Sequence, residues 1–387
     1  MVRGSPAGVL QNMKSLTLPI VLALAFLASS STAQTLNVTD FGAIPDDQFD
    51  DSAGIQATVN AAFSKGGGVV IFPEGKFILR DQINIVPTQG VGYDISLRGF
   101  KGSVIEVSVG QGKIALYAGN LNTFAVEDLI FVGKESNAPE DFYDARNVIF
   151  SNYVENTIIA RSSFFGLATR ASDGTPTGVV HIGNTDARIT DSRFDGSLSD
   201  YPSGGVVTAE DFRGLTVSRC TFIDYANFQG RYLSKSTGFV GSWISARNGR
   251  VFGANGQRRV LIEDSRFDEA AAIGVRLENV AWGMLRGLSV NVNASVAGRG
   301  IYVKNSGFVK VDQSWFGFSR NSRPAIDVDD LGGLEAVALD FSDGVYFLRK
   351  NGNVKVSSTF CPECKDAPPE VSVLKPSQRR VAAPRNQ

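Results

Sequence analysis

The chain is written in short bursts of alternating apolar and polar residues, and from Asp94 to Asp330 these bursts repeat. A period of two places successive side chains on opposite faces of a strand. Each copy carries an aliphatic residue with an aromatic five positions on: Ile95/Phe100, Val126/Phe131, Ile159/Phe164, Ile189/Phe194, Val217/Phe222, Ile262/Phe267 and Val311/Phe316, with Leu285/Val290 as the aliphatic variant. In most copies a small residue follows the aliphatic by three, as at Ser162, Ser192, Cys220, Ser265 and Ser314. About six residues ahead stands Asn or Asp: Asn120, Asn152, Asn184, Asp211, Asn255, Asn279, Asn305. Successive copies are 31, 33, 30, 28, 45, 23 and 26 residues apart. A β-type repeat of roughly 20–50 residues means a solenoid or a propeller, and a propeller blade needs four strands in about 40 residues or more. Most copies here are too short for that. Each is predicted to be one coil of a parallel β-helix, with the coils stacked about 4.8 Å apart and like residues in vertical columns. The 45-residue step predicts an extra loop near Asp224–Arg258.

Before the repeat, Gln34–Leu79 predicts a strand, a turn, a helix and a second strand. Asp50, Asp51 and Ser52 offer helix-capping oxygens, and Ile55, Val59, Ala62 and Phe63 share one helical face. Gly66-Gly67-Gly68 stops the helix, and VVIFPEGKFIL supplies strand, turn and strand. A short amphipathic helix ahead of a long β region would plug an open sheet edge. The division expected is a signal peptide at 1–33, a β-helix at 34–350 (cap 34–80, coils 94–330) and a polar, disordered tail at 351–387. The signal assignment rests on Lys14, the twelve-residue apolar run Leu16–Leu27 and small residues at Ser31 and Ala33. Twelve residues are too few to cross a bilayer, so no membrane span is expected. The expected location is secreted or periplasmic.

Composition agrees with many strands and tight turns: 41 Gly and 26 Phe, with three Met and one His. With 38 Lys+Arg against 39 Asp+Glu the chain lacks the basic excess of a nucleic-acid binder, so no nucleic-acid partner is expected. Cys220 reads as a small buried hydrophobe. Cys361 and Cys364, in CPEC, read as a local disulfide in an oxidising compartment, since a single CxxC makes at most half a zinc site. No feature of the sequence assigns an oligomeric state.

The segment VTDFGAIPDDQFDDSAGIQATVNAAFSKGGGVVIFPEGKFIL (Val38–Leu79) resembles the N-terminal motif of the secreted pectate-lyase-like, right-handed parallel β-helix superfamily. That motif runs DFGA, an acidic segment, an amphipathic helix, GGG, a strand and an FPxG turn. The resemblance implies an all-β, single-stranded right-handed parallel β-helix with an N-terminal capping helix. It also implies a polysaccharide lyase, hydrolase, C5-epimerase or depolymerase. The motif belongs to the scaffold and carries no catalytic residue with it. The Gly-His-Gly and Arg-Ile-Lys signatures of polygalacturonases are missing, the sole His lying in VVHIGN. The Tyr-Gly-Phe-Asp-Pro-His type motif of mannuronan epimerases is missing too.

With the coil interior filled by apolar columns, chemistry must use outward positions. In the strand leading to each Asn or Asp, residues two and four before it are apolar and point in, so residues one and three before it point out. This predicts two outward columns: Gly183, Glu210, Arg247, Glu278, Lys304, Asp329; and His181, Thr208, Ser245, Arg276, Tyr302, Asp327. Arg247 and Ser245 belong there if Asn248, rather than Asn255, is the turn residue of its coil. Such a strip suits an acidic polysaccharide. For β-elimination or epimerisation, Arg276, Arg247 or Lys304 would neutralise the uronate carboxylate, and Tyr302 or His181 would take the adjacent proton. A Ca²⁺ on Glu210 and Glu278 could share the neutralising role, and the sequence leaves the metal requirement open. Glu210 and Glu278 would instead serve as the carboxylate pair of a hydrolase. A third reading is a non-catalytic β-helix that binds exopolysaccharide. Alternating charges along a strip also arise in a plain solvated face. A second cluster, Asp191, Arg193, Asp195, Glu263, Asp264, Arg266 and Asp268 around the repeated DSRFD, reads as turn chemistry. Tyr225, Phe228, Tyr232, Phe239 and Trp243 in the long insertion offer rings for sugar stacking or for packing on the coil.

Overall fold

A computed structural model describes residues 34–90, 92–110, 113–133, 147–167, 178–183, 185–195, 204–208, 212–223, 242–247, 259–268, 273–292, 299–304, 306, 308–318, 326–329, 333–341, 348–350 and 353–360. The signal segment, Cys361 and Cys364, and the insertion aromatics Tyr225, Phe228, Tyr232 and Phe239 lie outside them, as does Glu210.

The chain winds as a right-handed parallel β-helix with three sheets. One coil shows the plan. Asp186–Thr190 lies in the first sheet, Arg193–Asp195 in the second and Gly204–Thr208 in the third, and Gly214–Ser218 returns to the first with Ile189 beside Val217. The first sheet runs from Thr35–Asn37 to the start of Asn353–Phe360, the second from Gly75–Leu79 through the end of Gly333–Phe341 to the end of Asn353–Phe360, and the third from Ile83–Ile85 to Leu348–Lys350. The coils therefore continue to Phe360, ten residues past the boundary expected at 350. Phe222 and Phe267 sit in adjacent rungs despite the 45 residues between them. Their coil also supplies the third-sheet strand Ser242–Arg247, which splits the surplus into two parts, 224–241 and 248–258.

The interior follows the columns in the sequence. The aliphatic column reads Leu97, Val126, Ile159, Ile189, Val217, Ile262, Leu285 and Val311 in unbroken register. The aromatic column stacks Phe131, Phe164, Phe194, Phe222 and Phe267 with ring centroids 4.7–5.1 Å apart and planes within 9°. That separation is the strand spacing, so each ring covers the face of the next and water is shut out. The first pair, Ile95/Phe100, was misplaced. Phe100 is 57% exposed, and its coil contributes Leu97 and Ile105 to the two columns. The cause is a turn at Phe100–Gly102 that lengthens this corner.

Two corners are tight. Between the first and second sheets one residue per coil takes positive φ: Asp128, Arg161, Asp191, Arg219, Asp264, Gly287 and Gln313. The small residue after it then turns inward. Ser265 Oγ donates to Glu263 O (2.8 Å) and accepts from Cys220 N of the coil before (3.2 Å); Ser192 and Ser314 act in the same way. The sequence's small-residue column is thus a hydroxyl ladder that satisfies backbone groups a tight corner would strand. Ion pairs run up its outer side, among them Arg161 on Asp128 (2.7 and 2.8 Å) and Arg219 on Asp191 (2.7 and 2.8 Å). The guanidinium of Arg161 holds the Asp128 carboxyl below its ordinary range. Between the third and first sheets, Asn120 and Asn279 take positive φ as expected, but in the coil between Asn147 and Ala160 the position falls to Tyr153, and Asn152 aligns with Gly119. Arg247 is in register with Glu278, whereas Asn248 and Asn255, the alternatives for the turn residue of that coil, lie outside the described residues.

Three devices close the N-terminal edge. Thr35–Asn37 pairs with Gly68–Phe72 in the first sheet. In the second, the acidic segment meets the open edge of Gly75–Leu79: Asp46 accepts from Lys76 N (2.9 Å), Asp51 from Ile78 N (2.7 Å) and Asp50 from Arg80 N (3.1 Å). In the third, Gln56 of the helix Ser52–Ser64 bonds both N (2.7 Å) and O (3.0 Å) of Asn84. The carboxylate of Asp51, expected to cap the helix, instead joins Ile78 N to Ile44 N (2.7 Å). Burial pushes its carboxyl up, against the pull of those two bonds. Gly68 needs its glycine: φ is +153°, and a Cβ would stand 2.4 Å from Gln34 O.

Candidate functional site

The outward face of the third sheet is where the predicted strip falls, next to the corner from which the longest connections leave. Its register reads Tyr117, Phe150, His181, Val207, Ser245, Arg276, Tyr302 and Asp327 in one column. Beside it run Gly119, Asn152 and Gly183, then Arg247, Glu278, Lys304 and Asp329. Val207, rather than Thr208, follows His181. Thr208 pairs with Ile182, an inward position, because counting back from Asp211 is one residue out in this coil. The same count placed Glu210 on the strip.

The column has two parts. Toward the N-terminus, Tyr117, Phe150 and His181 form a half-buried ring stack, with centroids 5.6 and 4.6 Å apart. Farther along, Arg276 donates from Nε (2.9 Å) and Nη2 (2.5 Å) to Oε1 of Glu278 in its own strand, and its Cζ lies 5.6 Å from the Tyr302 ring centroid in the next rung. Glu278 is 7% exposed and stands in register between Arg247 on one side and Lys304 on the other. Two donors from one guanidinium on one carboxylate fix the plane of the Arg, and the ring beneath supports it. The result is a cationic surface with a defined orientation and a phenol beside it.

Arg276, Glu278, Tyr302 and Lys304 are therefore neighbours, with Arg247 in the adjoining rung. His181 is three rungs from Arg276, about 14 Å along the rod. It cannot share a reacting atom with Tyr302. The sequence placed all these residues on one face but could not measure their spread along the axis. Neither did it single out Tyr117 and Phe150, which alternation would have put outside.

A Ca²⁺ on Glu278 fits poorly. The ion wants six to eight oxygens, by rough count, whereas this carboxylate carries a guanidinium and has Lys304 alongside. Among the described residues no group of three or more His, Cys, Asp and Glu is placed to hold a metal. Among the described residues the fold displaces the titration of Asp50 and Asp51 in the cap, of Asp128, Arg161, Asp191 and Arg219 on the first corner, and of Cys220. The DSRFD repeat divides. Asp191 and Asp264 are corner residues with positive φ, as expected, while Arg193, Asp195, Arg266 and Asp268 stand on the second sheet.

A family model described as rhamnogalacturonase A/epimerase, pectate lyase-like, matches residues 35–314. Mannuronan C5-epimerase AlgE3 of Azotobacter vinelandii is 26% identical over 201 residues, 44% of this chain but 10% of that protein. AlgE4 of the same organism is 51% identical over 41 residues, 11% of this chain and 7% of AlgE4. The chain thus spans a small part of these relatives. Among solved structures, the AlgE4 A-module superposes with a TM-score of 0.50 at 16% identity, covering 85% of this chain and 97% of the module. ORF18 of Geobacillus virus E2 gives 0.56 at 15%, covering 84% and 60%. The tailspike of Escherichia coli bacteriophage HK620, in complex with a pentasaccharide, gives 0.53 at 14%, covering 84% and 65%. At these identities the structural likeness is one of fold.

Proposed function

The chain belongs to the rhamnogalacturonase A/epimerase, pectate lyase-like family, and from that premise we propose that it acts on an acidic, uronate-containing polysaccharide by abstracting the proton beside the sugar carboxylate. The observation that carries the reading is the Arg276–Glu278 pair seated against Tyr302 with Lys304 next to it. Arg276 and Lys304 would hold the carboxylate and spread its charge, which acidifies the neighbouring C–H. Tyr302 is the proton acceptor nearest that carboxylate position, and Glu278 positions Arg276. Delivery of a solvent proton to the opposite face gives epimerisation, and departure of the 4-linked oxygen, which takes up a proton as it leaves, gives elimination. Hydrolysis by Glu278 is disfavoured, because its Oε1 is occupied as an acceptor by Arg276. His181 and its ring stack would meet the polymer farther along the rod. Action outside the cytoplasm accords with the leader-like run Leu16–Leu27.

Incubation with polymannuronate, polyguluronate, polygalacturonate and rhamnogalacturonan in deuterated water tests the reading. Epimerisation should place solvent deuterium at the carbon bearing the carboxylate, and elimination should give unsaturated ends. New reducing ends with neither exchange nor unsaturated ends would give the site to a hydrolase. Retention of polymer with neither change would leave a binding protein.

A further inference from the structure

On the outer face of the second sheet, one column runs in unbroken register through Ser163, Arg193, Thr221, Arg266, Ser289 and Trp315. Every second rung carries a large side chain and the rungs between carry hydroxyls. Arg193, Arg266 and Trp315 are thus spaced by two rungs each, about 10 Å. Although Lys310–Asp312 lies within one strand, several ion pairs stitch neighbouring coils together: Lys76–Glu106, Arg98–Glu127, Arg161–Asp128, Arg219–Asp191 and Arg286–Glu263. The two Arg of this column do not. Arg193 donates from Nε (3.2 Å) and Nη2 (2.6 Å) to Asp195 in its own strand, and Arg266 from Nε (2.6 Å) to Asp268 in its own strand. A pair within one strand adds nothing to the stacking of coils, but it does fix the direction of the guanidinium. The same arrangement occurs at Arg276–Glu278 on the third sheet.

The carboxylates are the sunken members, with side chains 7% and 19% exposed for Asp195 and Asp268, against 48% and 65% for Arg193 and Arg266. A guanidinium has five N–H donors, so each Arg keeps donors for a second anion after binding its Asp. Phe165 backs Arg193, its ring centroid 5.6 Å from Cζ. At the far end Trp315 lies across Gly317, where a Cβ would stand 2.6 Å from Cη2. The indole therefore lies over the strand at Gly317, on the outer face where a sugar ring could stack on it.

We propose that this column is a second binding strip, for an extended anionic polysaccharide: its carboxylates would meet Arg193 and Arg266 two rungs apart, with a sugar ring on Trp315. The strip shares its ligand class with the proposed function but uses none of the same residues. It would hold the polymer without chemistry, raising its local concentration at the third sheet.

Electrophoresis of the purified protein through gels containing polymannuronate, polygalacturonate or neutral dextran tests this. The wild-type protein should be retarded by the acidic polymers and not by dextran. Arg193→Gln with Arg266→Gln should weaken retardation about tenfold or more, as loss of two oriented forks implies, and Trp315→Ala should weaken it several-fold. Arg193→Lys with Arg266→Lys, which keeps the charge, should restore only part. Circular dichroism of each variant shows that the coils persist. Retardation of the Gln pair equal to wild type, full rescue by the Lys pair, equal retardation by dextran, or no retardation at all overturns the proposal. Arg276→Ala separates the two readings. Retardation that survives in Arg276→Ala but is lost in the Gln pair supports the strip, whether or not any variant shows turnover.

Discussion

At Arg276 two donors converge on one oxygen of Glu278, and the guanidinium rests over Tyr302. Removing the side chain takes away both the charge proposed to face the substrate and the partner of a nearly buried carboxylate. Arg276→Ala and Lys304→Ala should each lower turnover by roughly 10²–10⁴-fold with the circular dichroism of the coils unchanged; full activity in both would move the site off this face. Cys220 illustrates the opposite kind of residue. Burial pushes its thiol up to about 11, and its Sγ faces Ile189 O and Ser218 O within the ladder that serines build in other coils. Below the unfolded thiol's ordinary pKa, roughly 8.5, both states are protonated and the thiol's contribution to stability is intact. Between there and about 11 only the unfolded chain loses its proton, so stability falls as pH rises. Cys220→Ser should complete the hydroxyl ladder, fold normally and remove that component of the alkaline loss in a denaturant titration.

Among the elements, the N-terminal cap is the one whose role the sequence suggested and the structure redistributed. Helix, acidic segment and first strand each close a different sheet. Asp51→Ala would leave the N–H groups of Ile44 and Ile78 without their acceptor, at a cost of about 2–5 kcal/mol for two stranded donors. Thermal melts should show a lower midpoint, and hydrogen exchange at Ile78 should rise more than at Ile105 one rung in. Equal protection at both would mean that the acidic segment does not close that edge. Capping propensity made Asp50, Asp51 and Ser52 visible. Asp50 does accept from Ser52 N at the helix start (3.0 Å), but Asp51 was misassigned because a local rule cannot see a strand some thirty residues on.

For the molecule as a whole, stability is a sum over coils and their contacts. Phe222 is fully buried between Phe194 and Phe267, with centroids 4.8 and 4.9 Å away. Phe222→Ala should cost about 3–5 kcal/mol and, being in mid-rod, should split denaturant unfolding into phases on either side of the gap. A single cooperative transition with little change in midpoint would show that the rings do not carry the stacking. The same rod sets the reach of any ligand. His181 and Tyr302 occupy one column yet lie four rungs apart, so on the proposed reading they would meet different parts of one polymer chain.

Sequence alone determined the coil, because a buried column demands the same residue type at each turn and that demand is written as periodicity. It determined the aliphatic and phenylalanine columns, the small-residue ladder, the capping segment and the face on which Arg276, Glu278, Tyr302 and Lys304 emerge. Tertiary structure decided the register where a turn departs from the common length, by three residues at Phe100 and by one at Thr208 and Tyr153. It also decided how far along the axis each outward side chain stands. Outward positions answer to solvent rather than to a neighbour above and below, so nothing in the pattern records their partners. Arg193 and Arg266 could be counted in the sequence, but only stacking showed that each turns to its own strand while the corner residues turn to the next coil.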